Sequence, residues 1–238
     1  MKIAVCGDSW ASPSPLSPGC HYSEIIADRL GAELVPLSRG GCSNGAICLQ
    51  IEFAIQHQVD FVIITTTEPD RIEIPDKKSL PVYNSYYHKQ KGLLNIKYNK
   101  AKSLSTQFVG SSGDIISENI NSLLSLQEYH SKVPALTHYM DELYDSGWKK
   151  QIDLWCLDSV LHRLKQSQIP FTIFLDQIGY ISEYGSWLES EHTQCWFSNT
   201  GDYYLRGLTG PDPGFHTGPE PQIEMADVLT PLLRAHVR

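Results

Sequence analysis

The 238-residue chain is poor in charge, with 19% charged residues against 41% hydrophobic ones, a globular balance that excludes a disordered, highly charged polymer. It has no excess of positive charge. Lys and Arg number 19 against 27 Asp and Glu, giving a net charge of −8, so the chain as a whole lacks the electrostatic footprint of a nucleic-acid binder. It also lacks long apolar runs. Stretches such as Phe61–Ile64 and Phe171–Leu175 are strand-sized, whereas a membrane-spanning helix needs about 20 residues. At the N-terminus, Met1-Lys2-Ile3-Ala4-Val5-Cys6 reads as a buried strand rather than the apolar stretch of about 7–15 residues that a secretory signal needs. The six cysteines include no C-x-x-C pair and no clustering with His, so no metal site is expected. Reduced thiols in a cytoplasm are the simplest account, with each cysteine acting as a small buried hydrophobe, although Cys20 and Cys42 fall in loop-like sequence.

What is present is an alternation of short apolar runs and amphipathic segments, the pattern of a parallel α/β sheet. Strands are expected at Lys2–Cys6, Glu33–Leu37, Phe61–Thr66 and Ile169–Leu175. Between them, a helix over Tyr22–Leu30 stops at Gly31, and a second runs from a Ser43 or Asn44 cap to about Gln58. A long helix is expected over Trp148–Gln166, a terminal one from about Glu220 with a kink at Pro231, and a short edge strand at Gln194–Phe197. The periodic signal lapses over about 70 residues in between. The expectation is one domain over residues 1–238, carrying an insertion at about 72–147.

Residues with chemistry collect in the turns that follow the strands, where open parallel sheets place their sites. Gly7-Asp8-Ser9-Trp10 follows the first strand, and a serine there can present its hydroxyl and its own N–H to one pocket. Capping a helix is the equal alternative for Ser9. Pro36-Leu37-Ser38-Arg39-Gly40-Gly41-Cys42-Ser43-Asn44-Gly45 closes the second strand and opens a helix, so its amides suit an oxyanion or a phosphate. It matches neither nucleotide-binding glycine motif. Asp212-Pro213-Gly214-Phe215-His216-Thr217-Gly218-Pro219 precedes the terminal helix, with Asp212 four positions before His216. A lone loop histidine is ordinarily just solvated; alongside Ser9 it becomes a candidate base, because a serine hydroxyl is a poor nucleophile until an imidazole takes its proton.

These blocks resemble the SGNH/GDSL hydrolase superfamily. The resemblance implies a three-layer α/β/α sandwich with a flavodoxin-like parallel sheet and a serine esterase or acyl hydrolase activity that needs no metal or other cofactor. It makes Ser9 the nucleophile, His216 the base, Asp212 the orienting acid and Gly41 an oxyanion donor. The chain departs from the family pattern twice. Pro213, not an acid, stands three residues before His216, and Thr65-Thr66-Thr67-Glu68-Pro69-Asp70-Arg71 replaces the block Gly-x-Asn-Asp. Asn44 is the favoured substitute for the missing oxyanion asparagine, with the Thr66 or Thr67 hydroxyl as alternatives and helix capping as the competing role of Asn44. Arg71 could meet a substrate carboxylate or pair with Glu68 or Glu73.

The insertion has its own signature. Between Asp76 and Asp114 there is no acidic residue, while Lys77, Lys78, Lys89, Lys91, Lys97, Lys100 and Lys102 are interleaved with Tyr83, Tyr86, Tyr87 and Tyr98. Such a stretch suits a lid or specificity surface for anionic or sugar-like substrates, against the commoner role of a solvated excursion. The resulting expectation is a cytoplasmic hydrolase that removes a short acyl group, acetyl among the candidates, from a small-molecule or glycan ester. Neither membrane nor nucleic acid is expected as a partner. An acyltransferase sharing the same acyl-enzyme, or a non-catalytic glycan- or phosphate-binding module, are the other readings.

Overall fold

The computed structural model describes residues 1–8, 10–13, 18–38, 42–67, 71–75, 107–109, 115–119, 138, 142–174 and 219–236. Four parallel strands form the main sheet: β1 (Lys2–Cys6), β2 (Glu33–Pro36), β3 (Phe61–Thr65) and the later strand Phe171–Phe174. Lys2 to Val5 pair with Glu33 to Pro36 on one side, and Ile3 to Cys6 pair with Phe61 to Ile64 on the other. Every residue of β3 is buried, as expected of an inner strand covered on both faces, and its Phe-Val-Ile-Ile-Thr sequence fits that setting.

Alternate strand residues sort into two cores. Ala4, Cys6, Val62, Ile64, Phe171 and Ile173 pack with α2 (Asn44–Gln56) and the long helix Ser146–Gln166. Ile3, Val5, Phe61, Ile63 and Phe174 face the opposite way, against α1 (Tyr22–Leu30) and the terminal helix Pro219–His236. Period-two alternation along the strands therefore produces the three-layer α/β/α sandwich. A side chain fastens the second layer: Gln222 Oε1 of the terminal helix accepts from Tyr22 N–H at 2.8 Å.

The expected boundaries hold to within a residue or two. Gly31 ends α1 in the left-handed conformation at φ 58°, and Ser43, not Asn44, caps α2 by accepting from Ala46 N–H. α2 stops at Gln56, two residues before its expected end, because Gln58 turns to φ 50°. The terminal helix continues through Pro231. Cys42 is buried and Cys20 exposed, and the five cysteines among the described residues are free thiols.

The stretch without periodic signal holds three strands, β4 (Arg71–Pro75), β5 (Gln107–Val109) and β6 (Ile115–Asn119). They form an antiparallel sheet in the order β4-β6-β5, with Arg71 opposite Asn119 and Phe108 opposite Ile116. With these numbered, Phe171–Phe174 is β7, Ser146–Gln166 is α3 and Pro219–His236 is α4. The main sheet runs β2-β1-β3-β7. From β1 the chain moves outward to β2 and then returns past β1 to β3, so the strand order reverses between β1 and β3. The crevice for a ligand in such a sheet lies at the C-terminal ends of that pair. The expected edge strand at Gln194–Phe197 lies outside the described residues.

The cap of α1 is a histidine. His21 is buried, accepts from Ser23 N–H through Nδ1, and its own N–H bonds to Glu24 Oε2 at 3.2 Å, closing a capping box. Its other ring nitrogen lies 3.0 Å from Trp10 O, the geometry of an Nε2–H donor. Burial lowers the His21 pKa to about 4, against the opposing pull of the Trp10 carbonyl. A folded-state value below the ordinary 6.5 means that the unfolded chain takes up the proton first. Stability supplied by neutral His21 is therefore complete above pH 6.5 and falls as the pH drops toward 4. Urea midpoints over that window should decline more steeply for the wild type than for His21→Asn, which keeps a capping side chain without the titration. Parallel slopes would remove His21 from the acid response.

Two glycines are required for different reasons. Gly31 adopts φ 58° in open space, whereas a Cβ at Gly7 would lie 2.7 Å from Ala11 Cβ and 3.0 Å from both Thr65 Cβ and Thr65 O. Gly31→Ala should cost about 1–2 kcal/mol, the left-handed penalty for an L residue, and Gly31→Asn less. Gly7→Ala should cost about 1–3 kcal/mol by overpacking, with no relief from Asn at the same place. Thermal unfolding of the four variants checks this, and equal tolerance of Asn at both positions would contradict it.

Candidate functional site

The C-terminal ends of β1 and β3 carry a concentration of buried polar side chains. After Cys6, β1 passes into Gly7 and Asp8, and Ala11 N–H returns to Asp8 C=O at 3.3 Å. Asp8 is fully buried, and its Oδ1 accepts from Trp10 N–H at 3.0 Å.

Four further elements reach this turn. Gln50 of α2 accepts from Gly7 N–H at 2.7 Å and donates to Gly7 C=O at 3.2 Å. Thr67, just past β3, donates its hydroxyl to Asp8 Oδ2 at 3.2 Å. Ser38, just past β2, donates to Ala11 C=O at 2.7 Å, and His21 holds Trp10 C=O. Buried polar groups are costly unless satisfied, so a turn gripped at Gly7, Asp8, Trp10 and Ala11 is fixed in place rather than merely packed.

The grip extends into the helical layer. Asn44, at the first position of α2, accepts from Thr67 N–H at 2.9 Å through Oδ1 and donates through Nδ2 to Thr67 C=O at 2.8 Å and Asp153 Oδ2 at 3.0 Å. Asp153 of α3 is buried and takes a charged hydrogen bond from Lys149 on its other oxygen. A continuous polar chain thus runs Lys149, Asp153, Asn44, Thr67, Asp8, Trp10 N–H across the top of the sheet.

This chain bears directly on the oxyanion candidates. Both amide protons of Asn44 and the single hydroxyl proton of Thr67 are taken by protein groups. An oxyanion contact from either would have to displace one of those partners. The Thr66 hydroxyl lies 3.3 Å from Phe174 C=O, against the β7 side. Arg71 opens β4 opposite Asn119, and its side chain lies outside the described residues, as do Ser9, Gly41, Asp212 and His216. Their flanks are described: Asp8 and Trp10 bracket Ser9, and Cys42 follows Gly41.

Sequence reasoning missed Gln50 and His21. The signal for Gln50 was an uncharged polar residue set among Ala46, Ile47, Ile51 and Ala54 on the buried face of α2. His21 offered less, because Ser, Thr, Asp and Asn are the usual caps. Buried Cys6, its thiol pushed far up by desolvation, serves as core. Among the described residues no three His, Cys, Asp or Glu side chains gather as a metal site, and no helix is long and apolar enough to cross a membrane.

No family model matches the chain, and no curated protein matches it in sequence. Solved structures do match in shape. TesA aligns over 100% of both chains at 10% identity with a TM-score of 0.53. A putative lipolytic protein of the G-D-S-L family from Desulfitobacterium hafniense DCB-2 covers 97% of this chain and 98% of its own at 9% identity, with a TM-score of 0.50. The chain therefore has the α/β fold of these proteins, the architecture that its resemblance to SGNH/GDSL hydrolases implied.

Proposed function

We propose that the protein is an ester-hydrolysing enzyme in which Ser9 is the nucleophile. The observation that carries this reading is the Gly7-Asp8 turn, which leaves β1 at the point where strand order reverses and is gripped there by Gln50, Thr67, Ser38 and His21. Ser9 is the next residue in the chain after this turn, and open parallel sheets present their chemistry at such strand exits. The shared fold with a protein described as G-D-S-L lipolytic supports the same reading.

In the proposed mechanism His216 takes the Ser9 proton as the hydroxyl attacks the ester carbonyl, and Asp212 accepts from the imidazole N–H, which leaves the other ring nitrogen free to accept that proton. The tetrahedral oxyanion is received by the Ser9 and Gly41 backbone amides. Asn44 and Thr67 serve that site by bracing, through the hydrogen bonds described above. His216 then protonates the departing alcohol, leaving an acyl group on Ser9, which water releases. The substrate class is a short acyl ester, acetyl included, of a hydroxylated compound such as a carbohydrate.

Short-chain nitrophenyl esters should be hydrolysed, and a fluorophosphonate should label Ser9. Ser9→Ala and His216→Ala should each reduce turnover by several orders of magnitude, and Asp212→Asn by about 10⁴ if the acid sets the tautomer. Wild-type rates in both Ser9→Ala and His216→Ala would exclude the reading. An undiminished Asp212→Asn alone would move the orienting role elsewhere.

The lysines at positions 77–102 give this enzyme a preference for anionic esters. Exposed charges are screened beyond about 8 Å at physiological ionic strength, so turnover of an anionic ester should rise at low salt while a neutral one stays level. Reversing Lys89, Lys91 and Lys97 to Glu should remove that difference and leave neutral-ester kcat within a few-fold. Equal losses on both substrates would instead make the segment part of the fold.

A further inference from the structure

Gln50 is 2% exposed, in the middle of the most apolar helix face of the protein. Such an amide is destabilising unless its polar atoms find partners. It finds them at two loops simultaneously. Its Oε1 and Nε2 close a two-point clamp on the Gly7 backbone at 2.7 and 3.2 Å, and Nε2 lies 3.4 Å from Cys42 Sγ. Gly7 stands two residues before Ser9, and Cys42 stands one residue after Gly41. One side chain therefore joins the turn after β1 to the loop after β2.

A purely structural account is incomplete. The main-sheet pairing of β1 extends through Cys6, and Gly7 is already wedged against Thr65 and Ala11. An apolar residue of similar length would fill the space beneath it. What an apolar residue would not do is fix the two successive peptide groups that meet at Gly7, Cys6–Gly7 through its N–H and Gly7–Asp8 through its C=O, since that takes a donor and an acceptor together. The second of these peptides leads directly into Asp8.

We propose that Gln50 is a positioning residue for the ester chemistry, acting by tying Gly7, in the turn that leads to Ser9, to Cys42, in the loop that follows Gly41. The proposal rests on the reading of Ser9 as nucleophile and Gly41 as oxyanion donor. It assigns Gln50 no contact with substrate. Misplacement of reacting groups by about 1 Å is worth up to about 10²-fold in rate, which sets the size of the effect to be sought.

The test uses Gln50→Met, which keeps length and removes both hydrogen-bonding functions. Its kcat on a nitrophenyl acetate should fall about 10–100-fold with KM within about 3-fold, and fluorophosphonate labelling of Ser9 should slow by the same factor. Gln50→Glu supplies an independent readout. A neutral carboxylic acid can accept from Gly7 N–H and donate to Gly7 C=O, whereas the carboxylate can only accept. The activity of Gln50→Glu relative to wild type should therefore rise as the pH is lowered, since groups common to both proteins cancel in the ratio. This variant carries the test if Gln50→Met does not fold.

A folded Gln50→Met with wild-type kcat and labelling rate, or a Gln50→Glu ratio flat with pH, would overturn the proposal while leaving the Ser9 reading intact. A wild-type protein that neither turns over esters nor labels at Ser9 would overturn both together.

Discussion

Everything at the C-terminal end of the sheet depends on how closely β1 leaves past β3. With a Cβ at position 7 only 2.7–3.0 Å from Ala11 and Thr65, the two strand exits are in contact, and only a residue without a side chain fits between them. That contact brings Asp8 within reach of Thr67. A wider separation would break the polar chain between Thr67 and Asp8.

The polar chain explains how the buried polar groups at these strand exits are held together. Five of its links, Lys149, Asp153, Asn44, Thr67 and Asp8, come from α3, α2 and the exits of β3 and β1. In a low-dielectric interior a satisfied network rigidifies its surroundings, while a half-satisfied one is worse than an apolar core. Asp153 and Asp8 are both buried carboxyls, and each has a partner at both of its oxygens. Removing any member strands the next, so the site loops share their order with the packing of α2 on α3.

How much of this was legible in the sequence follows from what each element advertises. β3 and β7 are unbroken apolar runs, and α1 has its apolar period and its Gly31 stop, so residues alone located them. β4, β5 and β6 are three to five residues long, and an antiparallel sheet of that size leaves too few alternations to stand out. At the site, the Gly7-Asp8-Ser9 and Gly40-Gly41 turns were visible because glycine marks special backbone. Asn44 was recognised as a polar residue with two donors, but a sequence cannot say which acceptors take them. The acceptors are Thr67, 23 residues away, and Asp153, 109 residues away, and such partnerships exist only once the fold has formed.

The commitment of those protons reshapes the chemistry that the fold can support. With Asn44 and Thr67 engaged in holding each other and Asp8, the proposed ester hydrolysis would leave charge on a bound carbonyl oxygen to main-chain N–H groups. A backbone donor has no rotamer to adjust, so its aim is set entirely by the loop that carries it. The loops after β1 and β2 must then be held to tolerances that a side-chain donor would not demand. The buried amides and hydroxyls of Gln50, Ser38, Thr67 and Asn44 around those loops are the means of doing so. Under that proposal the side chains brace and the backbone binds.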